Sequence, residues 1–300
     1  MLIKGIKSQE LPIENLEETR SAFREVSNIF PSLEYNGTIE DRVCTNSRRE
    51  TPVRFYTPEG SGPFPAVMYM HGGGFCLGDL DASDNICRLI SQKAGCTVIS
   101  VDYALAPEYK YPYALEECLE ISSWIRQNAS SLNLQPEKIA YIGDSAGGNL
   151  AAVLSLLSKE SKNPIPCFQG LICPVLDLYT NPEEKTRGMS EILLTTEMCR
   201  LFNQYYLEYP SQGKEPYASP VNAADLSGLP PAVIITAELD PLAAEGRKYA
   251  ELLQEAGVEV THYHYPGMVH DFPMFTGFIK EAKQAVTLLT EQLSKALHTQ

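Results

Sequence analysis

Two glycine-flanked runs hold the residues whose types and spacing could do chemistry. In Gly143-Asp144-Ser145-Ala146-Gly147-Gly148 a serine has glycine two residues to either side, between an apolar stretch ending at Ile142 and a helical stretch beginning at Ala146. By letters alone, G-x-S-x-G arises by chance about 0.1 times in a chain of this length at ordinary glycine frequencies. The setting therefore matters more than the letters. On a sharp strand-to-helix turn, glycines remove the Cβ atoms that would collide with strand and helix, and the serine hydroxyl is aimed out above the sheet. The helix N-terminus behind it favours developing negative charge. The plain alternative is a glycine-rich turn with an incidental serine. In His71-Gly72-Gly73-Gly74-Phe75 three glycines let backbone N–H groups approach a ligand closely, as stabilising an oxyanion requires; there the alternative is a flexible turn. Attack on a carbonyl needs both a nucleophile and such donors, with the N–H of Ala146 as another, so the two runs support each other.

A serine hydroxyl is a poor nucleophile until a base takes its proton, and the chain has five histidines. His71 opens the glycine loop and reads as a scaffold for it, and His298 lies in the terminal tail. His262 and His264 alternate along one strand-like stretch and share a face, as at an exposed or edge position. His270 follows Pro266-Gly267-Met268-Val269, just beyond the C-terminal end of that strand, where parallel-sheet active sites lie. It is the expected base. The acid that orients it is expected to be Asp240, after the apolar stretch 232–236. Because Asp240 precedes Pro241, it could instead be a helix N-cap, and Glu238 and Asp177 stand as fallback acids. The chain order Ser145, Asp240, His270 is that of the α/β-hydrolase fold.

Positioning these groups requires a sheet. From residue 64 onward short apolar stretches (66–70, 97–102, 138–142, 168–173, 232–236, 258–265) alternate with helical ones (81–94, 113–128, 146–159, 241–256, 278–297). That rhythm predicts a mostly parallel sheet with helices on both faces. Two β-rich stretches before it, 39–45 and 53–57, predict antiparallel opening strands, giving about eight strands, and apolar spacing over 16–29 predicts a leading helix. An aromatic-rich stretch at about 177–218 breaks the rhythm and reads as an inserted lid. The expectation is one α/β domain over residues 1–300, with a helical cap from about 1–35 and about 177–218.

Composition narrows the partners. The chain has 300 residues, with 24 basic and 38 acidic side chains for a net charge of −14, and lacks a lysine and arginine cluster. Such a surface repels phosphate backbones and anionic lipid, so nucleic acid is not an expected partner. Charge at the extreme N-terminus argues against a signal peptide, and no apolar run reaches the ~18 residues of a membrane span; a cytoplasmic location is expected. Eight cysteines, none at C-x-x-C spacing, read as reduced and structural. Asp79, Asp81 and Asp84 lack the glycine and glutamate of a calcium loop. Neither a metal nor a cofactor is expected.

The motifs together resemble the hormone-sensitive-lipase-like, or GDXG, family of α/β hydrolases. The resemblance runs through His71-Gly72-Gly73-Gly74-Phe75, Asp102-Tyr103-Ala104-Leu105-Ala106-Pro107-Glu108, Gly143-Asp144-Ser145-Ala146-Gly147-Gly148, Asp240-Pro241-Leu242 and Gly267-Met268-Val269-His270. It implies Ser145 as nucleophile, Asp240 as acid, His270 as base and an oxyanion hole from the N–H groups of Gly73, Gly74 and Ala146, supported by His71, Gly72 and Asp144. It also implies a helical cap and hydrolysis of small-molecule carboxylic esters, often of short acyl chain. Two positions depart: Asp271 stands where many relatives have glycine, and Ala104 where arginine is common. Asp102 and Glu108 read as structural. The same machinery serves small amidases of the arylacetamide-deacetylase type, and some proteins resembling this family bind small molecules without turning them over; the presence of His270 argues against the latter. An exposed strand near the sheet edge, 258–265, suggests a homodimer.

Overall fold

The computed structural model describes residues 15–28, 31–161, 163–187 and 192–298. The expected N-terminal part of the cap, residues 1–14, and the stretch 188–191 of the insertion lie outside the described residues.

Eight strands form one sheet: β1 (Thr38–Thr45), β2 (Glu50–Thr57), β3 (Phe64–Met70), β4 (Thr97–Val101), β5 (Leu134–Asp144), β6 (Gln169–Ile172), β7 (Ala232–Leu239) and β8 (Val260–Val269). Their spatial order is β1-β2-β4-β3-β5-β6-β7-β8. The β1–β2 and β2–β4 pairs are antiparallel, and every later pair is parallel. The described helices of two or more turns are α1 (Leu16–Asn28), α2 (Asp84–Ala94), α3 (Tyr113–Gln127), α4 (Ala146–Glu160), α6 (Thr196–Tyr206), α7 (Ala243–Glu255) and α8 (Lys280–His298), with a single turn α5 (Pro182–Lys185) before α6.

Alternation along the strands divides the core. Ala66, Met68 and Met70 of β3 point to one face with Ile139 and Tyr141 of β5, and pack beneath α3, α4 and α7. Val67 and Tyr69 point to the other with Ala140 and Ile142, beneath α2 and α8. The period-2 geometry of a strand produces this division, and burial on both faces is why the central strands read as unbroken apolar runs. β4 is buried at all five positions.

Two strands depart most from expectation: β8 runs over Val260–Val269 rather than 258–265, taking in Pro266 to Val269, and β5 reaches from Leu134 to Asp144 rather than over 138–142. It lies between β3 and β6, and its pairing runs up to Gly143 against Met70 and Asp144 against Ile172. The serine that follows therefore begins its turn directly at the end of a paired central strand. The inserted segment does not join the sheet. Its α6 packs over the C-terminal end instead: the Tyr206 ring stacks on Phe75 with centroids 3.7 Å apart, and the Tyr206 carbonyl accepts the Tyr111 N–H at 2.8 Å.

Candidate active site

Ser145 occupies the turn between β5 and α4 with φ 51° and ψ −113°. A non-glycine residue held there costs on the order of 1–3 kcal/mol and persists only when its surroundings impose it. They do so here. The Ser145 N–H donates to the Ile172 carbonyl at 2.8 Å, and its own carbonyl accepts from Asn149 and Val175 at 3.1 and 3.0 Å. The flanking glycines are obligatory by contact: a Cβ on Gly147 would lie 2.0 Å from the Met70 carbonyl oxygen, and one on Gly143 would lie 2.3 Å from Gly147. The turn thus sits hard against the start of the glycine loop.

Asp144 ties turn and loop together. Its Oδ2 accepts the Gly72 N–H at 2.8 Å and its Oδ1 accepts the Tyr69 hydroxyl at 2.6 Å. Burial, followed by the negative charge of Asp271, pushes this carboxyl up to about 7. His71 is fully buried, its ring stacked on Tyr103 at 4.3 Å, while the Tyr103 hydroxyl donates to the His71 carbonyl at 2.7 Å. Gly73, Gly74 and Phe75 all adopt positive φ. A Cβ at Gly74 would stand 2.3 Å from the Phe202 ring, so α6 closes directly over this loop. Ala146 begins α4, where an N–H has no intrahelical carbonyl to meet.

The histidines sort by position. Nε2 of His270 lies 2.9 Å from Ser145 Oγ, and Nδ1 lies 3.0 Å from Asp240 Oδ2, an ion-pair distance. His262 and His264 both face the Thr236 hydroxyl, at 2.8 and 3.0 Å, on the edge strand β8, and His298 reaches the Ala94 carbonyl at 2.9 Å. The acids sort as clearly. Asp240 is buried and its two oxygens divide the work: Oδ1 accepts the Leu242 N–H at 2.9 Å, as a helix-starting turn would have it, while Oδ2 faces the imidazole. Glu238 is exposed and accepts the Gly267 N–H at 2.6 Å, and Asp177 is engaged by Tyr179 and Thr180. Burial alone would lower the imidazole of His270. The carboxylates of Asp240 and then Asp271 reverse this and hold it well above the ordinary histidine range.

An imidazole between a carboxylate and a serine hydroxyl, beside backbone N–H groups at a loop and a helix N-terminus, has the geometry of covalent acyl transfer. Among the described residues, Cys173, Asp240 and His270 form the one group of His, Cys and acidic side chains whose ligand atoms all lie within 4.8 Å of one another. Two of those three belong to the array just described. Asp79, Asp81 and Asp84 do not converge: Asp79 caps its own turn, Asp81 pairs with Arg54 and Asp84 with Arg88. Glu108 is gripped by both terminal nitrogens of Arg20, and the Asp102 carbonyl accepts from Arg49.

Residues 67–274 match the model of a family described as having the alpha/beta hydrolase fold. The chain belongs to the α/β-hydrolase family, in its hormone-sensitive-lipase-like carboxylesterase branch. This hydrolase is 34% identical over 295 residues to an ethyl acetate hydrolase from Pseudomonas putida, covering 96% of this chain and 93% of that protein. It is 36% identical over 293 residues to carboxylesterase NlhH of Mycobacterium tuberculosis, covering 95% and 91%. Among solved structures it superposes on a hyperthermophilic esterase from the archaeon Pyrobaculum calidifontis with a TM-score of 0.89 at 34% identity, over 98% of this chain and 96% of that one.

Three residues of the hydrolase's site went unassigned in the sequence. Phe202 lay in the aromatic-rich insertion without anything to say what it would touch. Arg20, on α1, donates to the Cys76 carbonyl at 2.9 Å and the Ala106 carbonyl at 3.0 Å, contacts spanning 56 and 86 residues that no local pattern encodes. Asp271 was visible only as a departure from the family pattern, and its Oδ2 stands 3.2 Å from His270 Nε2.

Proposed function

We propose that this carboxylesterase cleaves esters of short to medium acyl chain through an acyl-enzyme on Ser145. His270 takes the Ser145 proton as Oγ attacks the ester carbonyl, and the N–H groups of Gly73, Gly74 and Ala146 hold the oxyanion of the tetrahedral intermediate. Asp240 stabilises the imidazolium, which then passes its proton to the departing alcohol. Water, deprotonated by the same histidine, releases the acid in a second round. The observation that carries this reading is the continuous Ser145–His270–Asp240 array, at 2.9 and 3.0 Å, placed at the C-terminal end of a parallel sheet.

The proposed architecture is a single domain whose cap combines residues up to about 35 with the insertion 177–218. Its support is α6 lying over the glycine loop and Arg20 anchoring α1 to the Cys76 and Ala106 carbonyls. Short acyl groups are favoured by Phe202, whose ring occupies space against Gly74. All eight cysteines are free thiols, which supports a cytoplasmic location, and β8 at the sheet edge supports a homodimer.

The test is a panel of p-nitrophenyl esters from acetate to palmitate with a matched anilide, run on the wild type and Ser145→Ala. Rates should peak at short chains, and the variant should lose on the order of 10⁶ in kcat, the scale at which such a triad acts as a unit. Turnover of the anilide in preference to every ester would make the protein an amidase, and retained hydrolysis in Ser145→Ala would remove the nucleophile from the mechanism.

A further inference from the structure

The mechanism above leaves one half-buried carboxylate beside the base without a task. Asp271 follows His270 in the left-handed region, with φ 50°, and this turn brings its carboxyl back to the imidazole. Its Oδ2 lies 3.2 Å from His270 Nε2, the same nitrogen that meets Ser145 Oγ at 2.9 Å. Nε2 therefore has two oxygens within reach, and once the ring is protonated its one Nε2–H faces both. The other oxygen, Oδ1, is buried with no hydrogen-bond partner among the described residues, and the charge that acts favourably on this carboxylate is that of the imidazole.

We infer that Asp271 is a positioning residue that captures the imidazolium Nε2–H in competition with Ser145, and so sets the acid limit of the esterase's activity. The inference rests on the assignment of His270 as the base. With Asp240 at Nδ1 and Asp271 at Nε2, the protonated ring is held at both nitrogens, and Ser145 regains a free base only when that proton leaves. The titratable groups facing the ring from the packed elements are Asp240 after β7, Asp271 after β8, Asp144 at the end of β5, Cys173 after β6 and Cys199 on α6. Both thiols are pushed upward by burial, Cys199 to about 11 and Cys173 well above the usual range, so the charges that act are the carboxylates. Asp271 itself is raised by burial and pulled back by the imidazolium. The direction is then determined. A carboxylate at Nε2 favours the charged ring, the ring is inactive as a base while charged, and the acid limb of kcat/KM lies at higher pH than Asp240 alone would place it.

The variant that tests this is Asp271→Asn, since asparagine keeps the shape, loses the charge and tolerates the left-handed backbone better than most residues. The acid limb of kcat/KM for p-nitrophenyl butyrate should move to lower pH by about one unit or more, the size of effect an adjacent charge produces. A second arm follows the His270 ring by NMR titration in a Ser145→Ala background, with and without Asp271→Asn. It needs no turnover, and the imidazole should titrate lower when Asp271 is neutralised. An unchanged or raised value in that arm overturns the inference even if Asp271→Asn is inactive. Persistent hydrolysis by Ser145→Ala overturns the proposed nucleophile instead, while the titration still reports whether Asp271 acts on the ring.

Discussion

At the scale of the residue, the site is a set of side chains each given two contacts, one structural and one directed at the neighbouring group. Asp240 accepts the Leu242 N–H with one oxygen and faces His270 with the other. Asp144 does the same between the Tyr69 hydroxyl and the Gly72 N–H. Such bonds hold each carboxylate in a single orientation, which is what an acid that must orient an imidazole needs. Asp240→Asn should therefore cost about 10⁴ in kcat with the fold intact, the scale seen when a triad acid can no longer hold the correct tautomer. Glu238→Gln and Asp177→Asn should stay near wild type in the same ester assay, because neither side chain reaches the ring. A loss confined to one of those two would transfer the acid's role to it. The serine, the histidine and the leading acid were legible as types at spacings because the chemistry requires them in that order and at element ends. Spacing could not dismiss the fallback acids Glu238 and Asp177, since they too follow apolar stretches and only the direction of the side chain separates them from Asp240.

At the scale of the element, the insertion contributes a helix whose aromatic residues are spent on the glycine loop rather than on the sheet. Phe202 lies against Gly74 and Tyr206 stacks on Phe75, so α6 covers the glycine loop and, in the proposed mechanism, walls the acyl or alcohol group. Lys185, on the preceding turn α5, pairs with buried Glu245 of α7 at 2.5 Å, and Glu245 also accepts the Leu176 N–H at 2.7 Å, which anchors the root of the insertion to the helix that follows Asp240. Phe202→Ala removes most of a ring from that wall. The ratio of octanoate to acetate hydrolysis should rise several-fold in this variant, read from the same ester panel. An unchanged ratio would place the chain-length limit elsewhere in the cap. Amphipathic spacing and aromatic content marked 177–218 as different from the sheet-and-helix rhythm, but a helix packed on the core and a helix packed on an active-site loop have the same pattern in sequence.

At the scale of the whole molecule, the sheet has two edges, β1 and β8, neither paired on its outer side with another strand among the described residues. Edge strands pair readily with a second copy unless something blunts them. On β8 the inner register is taken by β7 from Val260 to Val269, while Pro266 and the positive-φ Gly267 interrupt its distal end. The regular stretch Val260–Tyr265 is left for an isologous, antiparallel pairing across a two-fold axis. Light scattering should give a mass near twice 33.2 kDa at working concentration, and substituting proline for Tyr263 should reduce it toward one chain. A monomeric wild type would remove the dimer from the proposal.

By itself the sequence determined the class of fold, the ends of the strands at which chemistry could sit, and the serine, histidine and glycine loop proposed for the reaction. These are local properties: period-2 and period-3.6 burial set the elements, and a strained turn or an oxyanion loop tolerates few residues other than glycine at particular offsets. The tertiary structure alone decided which acid faces the ring, which residue of α6 covers Gly74, and that Arg20 on α1 holds the loop from a distance of 56 residues. It also decided that Asp271 shares Nε2 with Ser145. Each of these depends on a side-chain direction or on a contact between segments remote in the chain, and neither leaves a trace in spacing.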